Sequence, residues 1–104
     1  MLARLQASAV ALPRHALARH REELIRLATL HGLDNLRVFG SVAKGSDLVG
    51  SDVDLLVSAP AGTGLMTISS FALAAEDLLG LPVDIVTEGG LRPDHRIRLE
   101  AVPL

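Results

Sequence analysis

Val38-Phe39-Gly40-Ser41-Val42-Ala43-Lys44-Gly45, followed after a polar stretch by Ser51-Asp52-Val53-Asp54-Leu55-Leu56-Val57, decides how this chain is read. Residues 36–39, with Leu36, Val38 and Phe39 apolar, read as a short buried strand ended by Gly40. Residues 41–51 are polar, carry Gly45 and Gly50, and read as a loop or a single helical turn. Residues 52–57 then alternate, with Val53, Leu55 and Val57 on one face and Asp52, Asp54 and Leu56 on the other. Two carboxylates at i and i+2 of a strand project from the same face. Left bare they repel each other, and any burial of that face adds desolvation. Two situations relieve such a pair: open water at a sheet edge, or a hard divalent cation such as Mg²⁺ or Mn²⁺ bound by the carboxylate oxygens.

Two neighbouring features bear on that choice. Gly40-Ser41 directly follows the first strand, where a glycine lets backbone N–H groups approach a phosphate. A helix starting there would add a positive dipole end, and the serine hydroxyl adds a donor; the same dipeptide also makes plain turns. The second feature is Asp84, set in Pro82-Val83-Asp84-Ile85-Val86. A carboxylate between Val and Ile is costly in a buried strand unless it is paired or metal-bound, and harmless on an edge strand facing water. Beside Asp52 and Asp54 it would complete a three-carboxylate cluster able to hold two cations.

Working outward, residues 13–31 show helical spacing of Leu17, Leu24, Leu27 and Ala28, with Pro13 suited to the first turn and Gly32 to the stop. The first dozen residues suit a further short helix. Residues 65–79 read as a long helix with Ile68, Phe71, Ala72, Ala75, Leu78 and Leu79 in one stripe, closed by Gly80. Residues 81–87 form a third strand, Gly89-Gly90 a turn, and residues 93–101 a last helix with Pro93 at its first position. Strands separated by helices indicate an α/β (α+β) fold, a small three-stranded sheet packed with about four helices.

The 104 residues suit one domain, and 49% hydrophobic content supplies a real core. With Phe39 and Phe71 as the only aromatics, that core is aliphatic, and both are expected inside it. Ten basic against twelve acidic residues leave a formal charge of −2, which argues against direct nucleic-acid binding. The absence of cysteine excludes disulfides, thiolate catalysis and Cys-based metal sites. No window reaches the apolar length of a membrane span, and the start lacks a signal-peptide core. The chain reads as soluble and cytoplasmic, with no membrane association. His15, His20, His31 and His95 lack metal-ligand spacing and read as non-catalytic. Asp47 reads as a solvated or capping residue, and Arg92, Arg96 and Arg98 as surface charges of the last helix, although one could reach a nucleotide or a partner.

Gly40-Ser41, ten residues, then Asp52-x-Asp54 resembles the signature of the nucleotidyltransferase superfamily that includes DNA polymerase β and kanamycin nucleotidyltransferase. The surrounding Phe39-Gly40-Ser41-x-Ala43-Lys44-Gly45, Leu79-Gly80-x-Pro82-Val83-Asp84-Ile85-Val86 and Arg98-Leu99-Glu100-Ala101-Val102 look like the minimal nucleotidyltransferases, stand-alone catalytic domains paired with HEPN ribonuclease toxins. The resemblance covers residues 17–104 as a minimal nucleotidyltransferase domain with a small mixed sheet, and leaves 1–16 as an N-terminal extension, short helix or partner contact. It implies two-metal chemistry in which Asp52, Asp54 and Asp84 are the catalytic and Mg²⁺-binding residues, and Gly40 and Ser41 cradle the β and γ phosphates of ATP. Lys44, the only lysine, stands where the family usually carries a basic residue; a place near the triphosphate and a solvated loop cation remain open for it. The implied function is that of an antitoxin transferring AMP from ATP to a hydroxyl, a tyrosine's in better-studied members, of a partner HEPN toxin in a hetero-oligomer. The acceptor tyrosine would lie on another chain, since this sequence has none. Two alternatives stand beside this reading: a non-catalytic antitoxin that masks the toxin by contact, and a small-molecule nucleotidyltransferase that recruits a substrate-binding subunit.

Overall fold

The computed structural model describes residues 12–104. The short helix expected over the first dozen residues falls outside them. Pro13–Arg19 forms α1, with the proline at the helix start where its missing N–H costs nothing. Arg21–Leu30 forms α2. The single helix expected over 13–31 is therefore two, meeting at His20 (φ −111°, ψ 19°). His20 is no helix breaker, and the hydrogen bonds continue across it: its N–H reaches the Ala16 carbonyl at 3.1 Å and its own carbonyl accepts from Leu24 at 2.9 Å.

Strand β1 spans Asp34–Phe39, α3 Gly40–Lys44, β2 Val53–Ser58, α4 Leu65–Leu79 and β3 Val83–Thr87. A 3₁₀ turn at Glu88–Gly90, α5 at Arg96–Glu100 and β4 at Val102–Pro103 complete the described chain. Strand β1 starts earlier than expected because Asp34 pairs with Ser58 of β2, across a slip in register before Arg37 where Asn35 takes a positive φ of 52°. Gly80, in the left-handed conformation, closes α4.

The sheet has four strands in the order β3-β2-β1-β4. Strand β1 runs antiparallel to β2 and to β4, while β2 and β3 are parallel and joined through α4. The fourth strand corrects the three-stranded expectation. It is two residues long and contains Pro103, so no alternation announces it, and proline is tolerated on such an edge. The last helix is also shorter than residues 93–101. His95 Nδ1 accepts the Ile97 N–H at 3.1 Å, so His95 caps the helix and Pro93 lies ahead of it.

The core lies between the sheet and the face of α2 and α4: Leu24, Ala28, Val53, Leu55, Val57, Phe71 and Ala75 have no exposed surface. Phe71 also stacks at a tilt on His31, with ring centroids 5.7 Å apart. Phe39 departs from expectation. It shares the Arg37 side of β1, away from Leu36 and Val38, and is only half-buried. On that second face Glu88 accepts from the Ser58 hydroxyl and from Arg37 at 2.7 Å. Arg98 donates to the Glu88 carbonyl at 2.7 Å and to Leu91 O at 3.3 Å. Arg98 is thus a half-buried clamp on the 3₁₀ turn, not the surface charge its sequence context suggests, while Arg92 pairs with Asp94 in the open. Among the described residues no helix is long and apolar enough to cross a membrane.

Candidate active site

Parallel pairing brings the acidic residues together. The β2–β3 register sets Val53 opposite Val83 and Asp54 opposite Asp84, so the two carboxylates occupy equivalent positions on adjacent strands and point to one face. Asp52 lies just ahead of β2, two residues from Asp54 and on the same side by alternation. On the other flank, β1 pairs Phe39 with Asp54. The chain therefore leaves β1 beside Asp54 and turns at once into α3.

That turn depends on Gly40. Its φ is +69°, a region L side chains avoid, and a Cβ built on it would collide with Asp54 Oδ2. The Asp54 carboxylate thus lies directly over the glycine backbone, and the first N–H groups of α3 emerge next to it with no side-chain cap. Gly40, Ser41 and Asp54 form a single constellation, each half-buried, with Asp52 and Asp84 exposed on its rim.

The charges are felt. The Asp54 carboxyl titrates above its ordinary value; partial burial is the main cause, followed by the charges of Asp84 and Asp52 and a hydrogen bond with Asp84. Among the described residues no three acidic or histidine side chains form a ready-made metal cage. The carboxylates stand as the registered Asp54–Asp84 pair with Asp52 two residues away. The donor set, hard carboxylate oxygens beside a glycine that leaves room for them, nonetheless fits Mg²⁺ or Mn²⁺.

Lys44, at the end of α3, lies 3.5 Å from Glu100 of α5 and is half-exposed. Each histidine has its own local setting away from the acidic strand ends. His15 is exposed, His20 Nδ1 is 3.8 Å from Glu23, His31 contacts the Leu27 carbonyl at 2.8 Å, and His95 caps α5. Asp47 is not solvated. It is buried, with Oδ2 accepting the Arg14 N–H at 3.0 Å and Oδ1 3.0 Å from Arg14 Nε, so it caps α1 from across the fold. No spacing rule joins positions 14 and 47, and this pair was invisible in the sequence. Glu88 was likewise missed; its carboxyl is held below its usual range by the Ser58 hydroxyl and then Arg37.

A family model described as a nucleotidyltransferase domain matches residues 17–101. The chain is 31% identical, over 84 residues, to a protein of Methanocaldococcus jannaschii named as a candidate protein adenylyltransferase; the match covers 79% of this chain and 90% of that one. A solved structure described as a candidate minimal nucleotidyltransferase superposes with a TM-score of 0.76 at 43% identity, covering 88% of this chain and 95% of the other. A toxin–antitoxin crystal structure with AMP-PNP shares the fold at a TM-score of 0.61 and 23% identity, over 68% of this chain and 59% of that one.

Proposed function

The chain belongs to the nucleotidyltransferase-domain family, and on that footing we propose that it is an antitoxin that transfers AMP from ATP to a hydroxyl, a tyrosine's, of a partner HEPN ribonuclease toxin. The observation that carries this reading is the Asp54 carboxylate standing over Gly40, with Asp84 in register beside it and Asp52 two residues away. The relative named as an adenylyltransferase supports the reaction type, and the toxin–antitoxin neighbour with AMP-PNP supports an ATP-like donor and a toxin partner.

Asp52, Asp54 and Asp84 would hold two Mg²⁺ ions, which when bound supply charge neutralisation at the entering and departing oxygens of an in-line displacement. The remaining work belongs to the protein. Backbone N–H groups at Gly40 and Ser41, with the Ser41 hydroxyl, bind the β and γ phosphates, and Lys44 at the end of the same helical turn adds a positive charge. The acceptor oxygen bonds to the α phosphorus, the bond from that phosphorus to the bridging oxygen breaks, and pyrophosphate leaves. The hydroxyl proton passes to solvent at the open rim of the site. Little covalent chemistry is asked of the side chains, and the rate comes from positioning.

Incubation of the protein and a HEPN-type partner with ATP labelled on either the α or the γ phosphate tests this. Label from the α position is expected on the partner, none from the γ position, and none with Asp52→Ala plus Asp54→Ala. If the doubly substituted protein still neutralises the toxin in cells, neutralisation works by masking and the catalytic reading is wrong.

A further inference from the structure

Resting on the nucleotidyl-transfer reading, we propose that Arg14 and Asp47 are a positioning pair that holds the 45–52 loop so that Asp52 is presented to the site. This loop joins the two halves of the constellation, the Gly40–Ser41 bend at one end and Asp52 at the other. Each end has its own local ties. Gly45 N–H reaches Val42 O at 3.1 Å and Ser46 N–H reaches Ser41 O at 2.9 Å. At the far end Ser51 N–H reaches Leu48 O at 2.9 Å, and Leu48 N–H reaches Ser51 Oγ at 2.9 Å.

Between those ties one side chain turns inward. Asp47 has no exposed side-chain surface, whereas Ser46, Leu48 and Val49 around it are exposed. Besides the two contacts to its carboxylate, the Arg14 guanidinium donates to the carbonyls of Gly45 and Asp47, each at 3.4 Å. One arginine in the first turn of α1 therefore grips both the side chain and the backbone of the loop. A buried carboxylate stripped of its counter-charge is strongly unfavourable and would swing out to water. Exposed Leu48 and Val49 supply no packing to resist that movement.

The consequence falls on Asp52 more than on Asp54. Val53 is fixed by its N–H to Pro82 O at 2.9 Å, and Asp54 lies within the ladder beyond it. Asp52 stands on the loop side of that anchor, so its carboxylate goes where the loop goes. Supporting residues of this kind typically govern ligand affinity through the geometry of the donors they hold.

The test is calorimetric titration of the full chain with Mn²⁺ alone, on wild type, Arg14→Met and Arg14→Lys, with folding checked by circular dichroism. Arg14→Met is expected to bind Mn²⁺ about tenfold more weakly, with faster amide exchange over residues 46–52, and Arg14→Lys to recover most of the affinity. A purely structural role would lower the melting temperature without changing the dissociation constant of the folded protein, and that result overturns the proposal. If Arg14→Met does not fold, Asp47→Asn keeps the shape and the Arg14 N–H acceptor while removing the charge. Weaker Mn²⁺ binding by that variant supports the pair, and wild-type affinity overturns it. Failure of the wild-type protein to bind Mn²⁺ overturns the nucleotidyl-transfer reading itself, and this proposal with it.

Discussion

Placing a methyl group on Gly40 probes the site where it is tightest. Two separable costs fall on Gly40→Ala. The first is backbone strain: at φ +69° an L side chain costs about 1 kcal/mol. The second is the collision of the new Cβ with Asp54 Oδ2, with Asp54 Cγ only 3.2 Å away. Asp54 can rotate, so the collision adds about 0.5–1.5 kcal/mol of off-rotamer strain. Displacing a positioning carboxylate by about 1 Å costs far more in rate, on the order of 100-fold. Gly32→Ala measures the strain alone, since Gly32 has φ +74° and open space around its Cβ position. At about 4–8 °C per kcal/mol for a domain of this size, Gly32→Ala is expected to lower the melting temperature by about 5 °C and leave transfer intact. Gly40→Ala is expected to lower it further and to abolish most transfer. The discriminating background is Asp54→Ala, in which the obstruction is gone and Gly40→Ala should cost no more than Gly32→Ala. Scanning fluorimetry of these variants gives the comparison. Equal costs for Gly40→Ala with and without the Asp54 side chain would refute the contact, and with it the placement of the phosphate-binding bend against the carboxylates.

Other consequences follow from the same geometry. Asp54→Asn removes a charge that Asp84 and Asp52 oppose, so the metal-free protein should gain about 0.5 kcal/mol in chemical denaturation, after allowance for solvent screening, while losing transfer. A loss of stability would show that the carboxylate is structurally required. The Glu88 carboxyl lies below its ordinary value of 4.5, so the stability it contributes is complete above that value and disappears as the pH falls through it and past the lowered folded value. Melting temperatures measured downward from neutral pH should fall in that acid window, and Glu88→Gln should lower the neutral value and flatten this limb; an unchanged limb would count against the Arg37–Glu88 pairing. Phe71→Ala empties a fully buried site and should cost about 3–5 kcal/mol, enough to unfold much of the protein at 37 °C. Lys44→Met should raise the KM for ATP about fivefold, one charged contact's worth, with kcat little changed, whereas an unaffected KM would leave Lys44 as the partner of Glu100 alone.

What the sequence made legible was whatever has a period or a fixed spacing. The α4 helix follows its apolar stripe to the residue, and Asp52 and Asp54 share a side because the strand alternates. Asp84 could be singled out as a charge among β-branched neighbours, but its position opposite Asp54 depends on a parallel register set by the α4 crossover. The misses have no local period to find. β4 is two residues with a proline, the joint at His20 carries no breaker, and the cap on α5 comes from a histidine two residues after the proline that suggested an earlier start. Arg14–Asp47 and Arg37–Glu88–Arg98 are contacts between distant segments, and a charge pattern reads only neighbours along the chain. Residue type alone puts Phe39 in the core, yet the alternation of β1 turns it to the other face.

Intact-mass spectrometry of a HEPN-type partner after incubation with this protein, ATP and Mg²⁺ bears most directly on the three acidic residues as the seat of nucleotidyl transfer. The partner should gain mass in whole AMP units, none when Mg²⁺ is chelated and none with Asp54→Asn. No gain with the wild-type protein, or the same gain with Asp54→Asn, would contradict it.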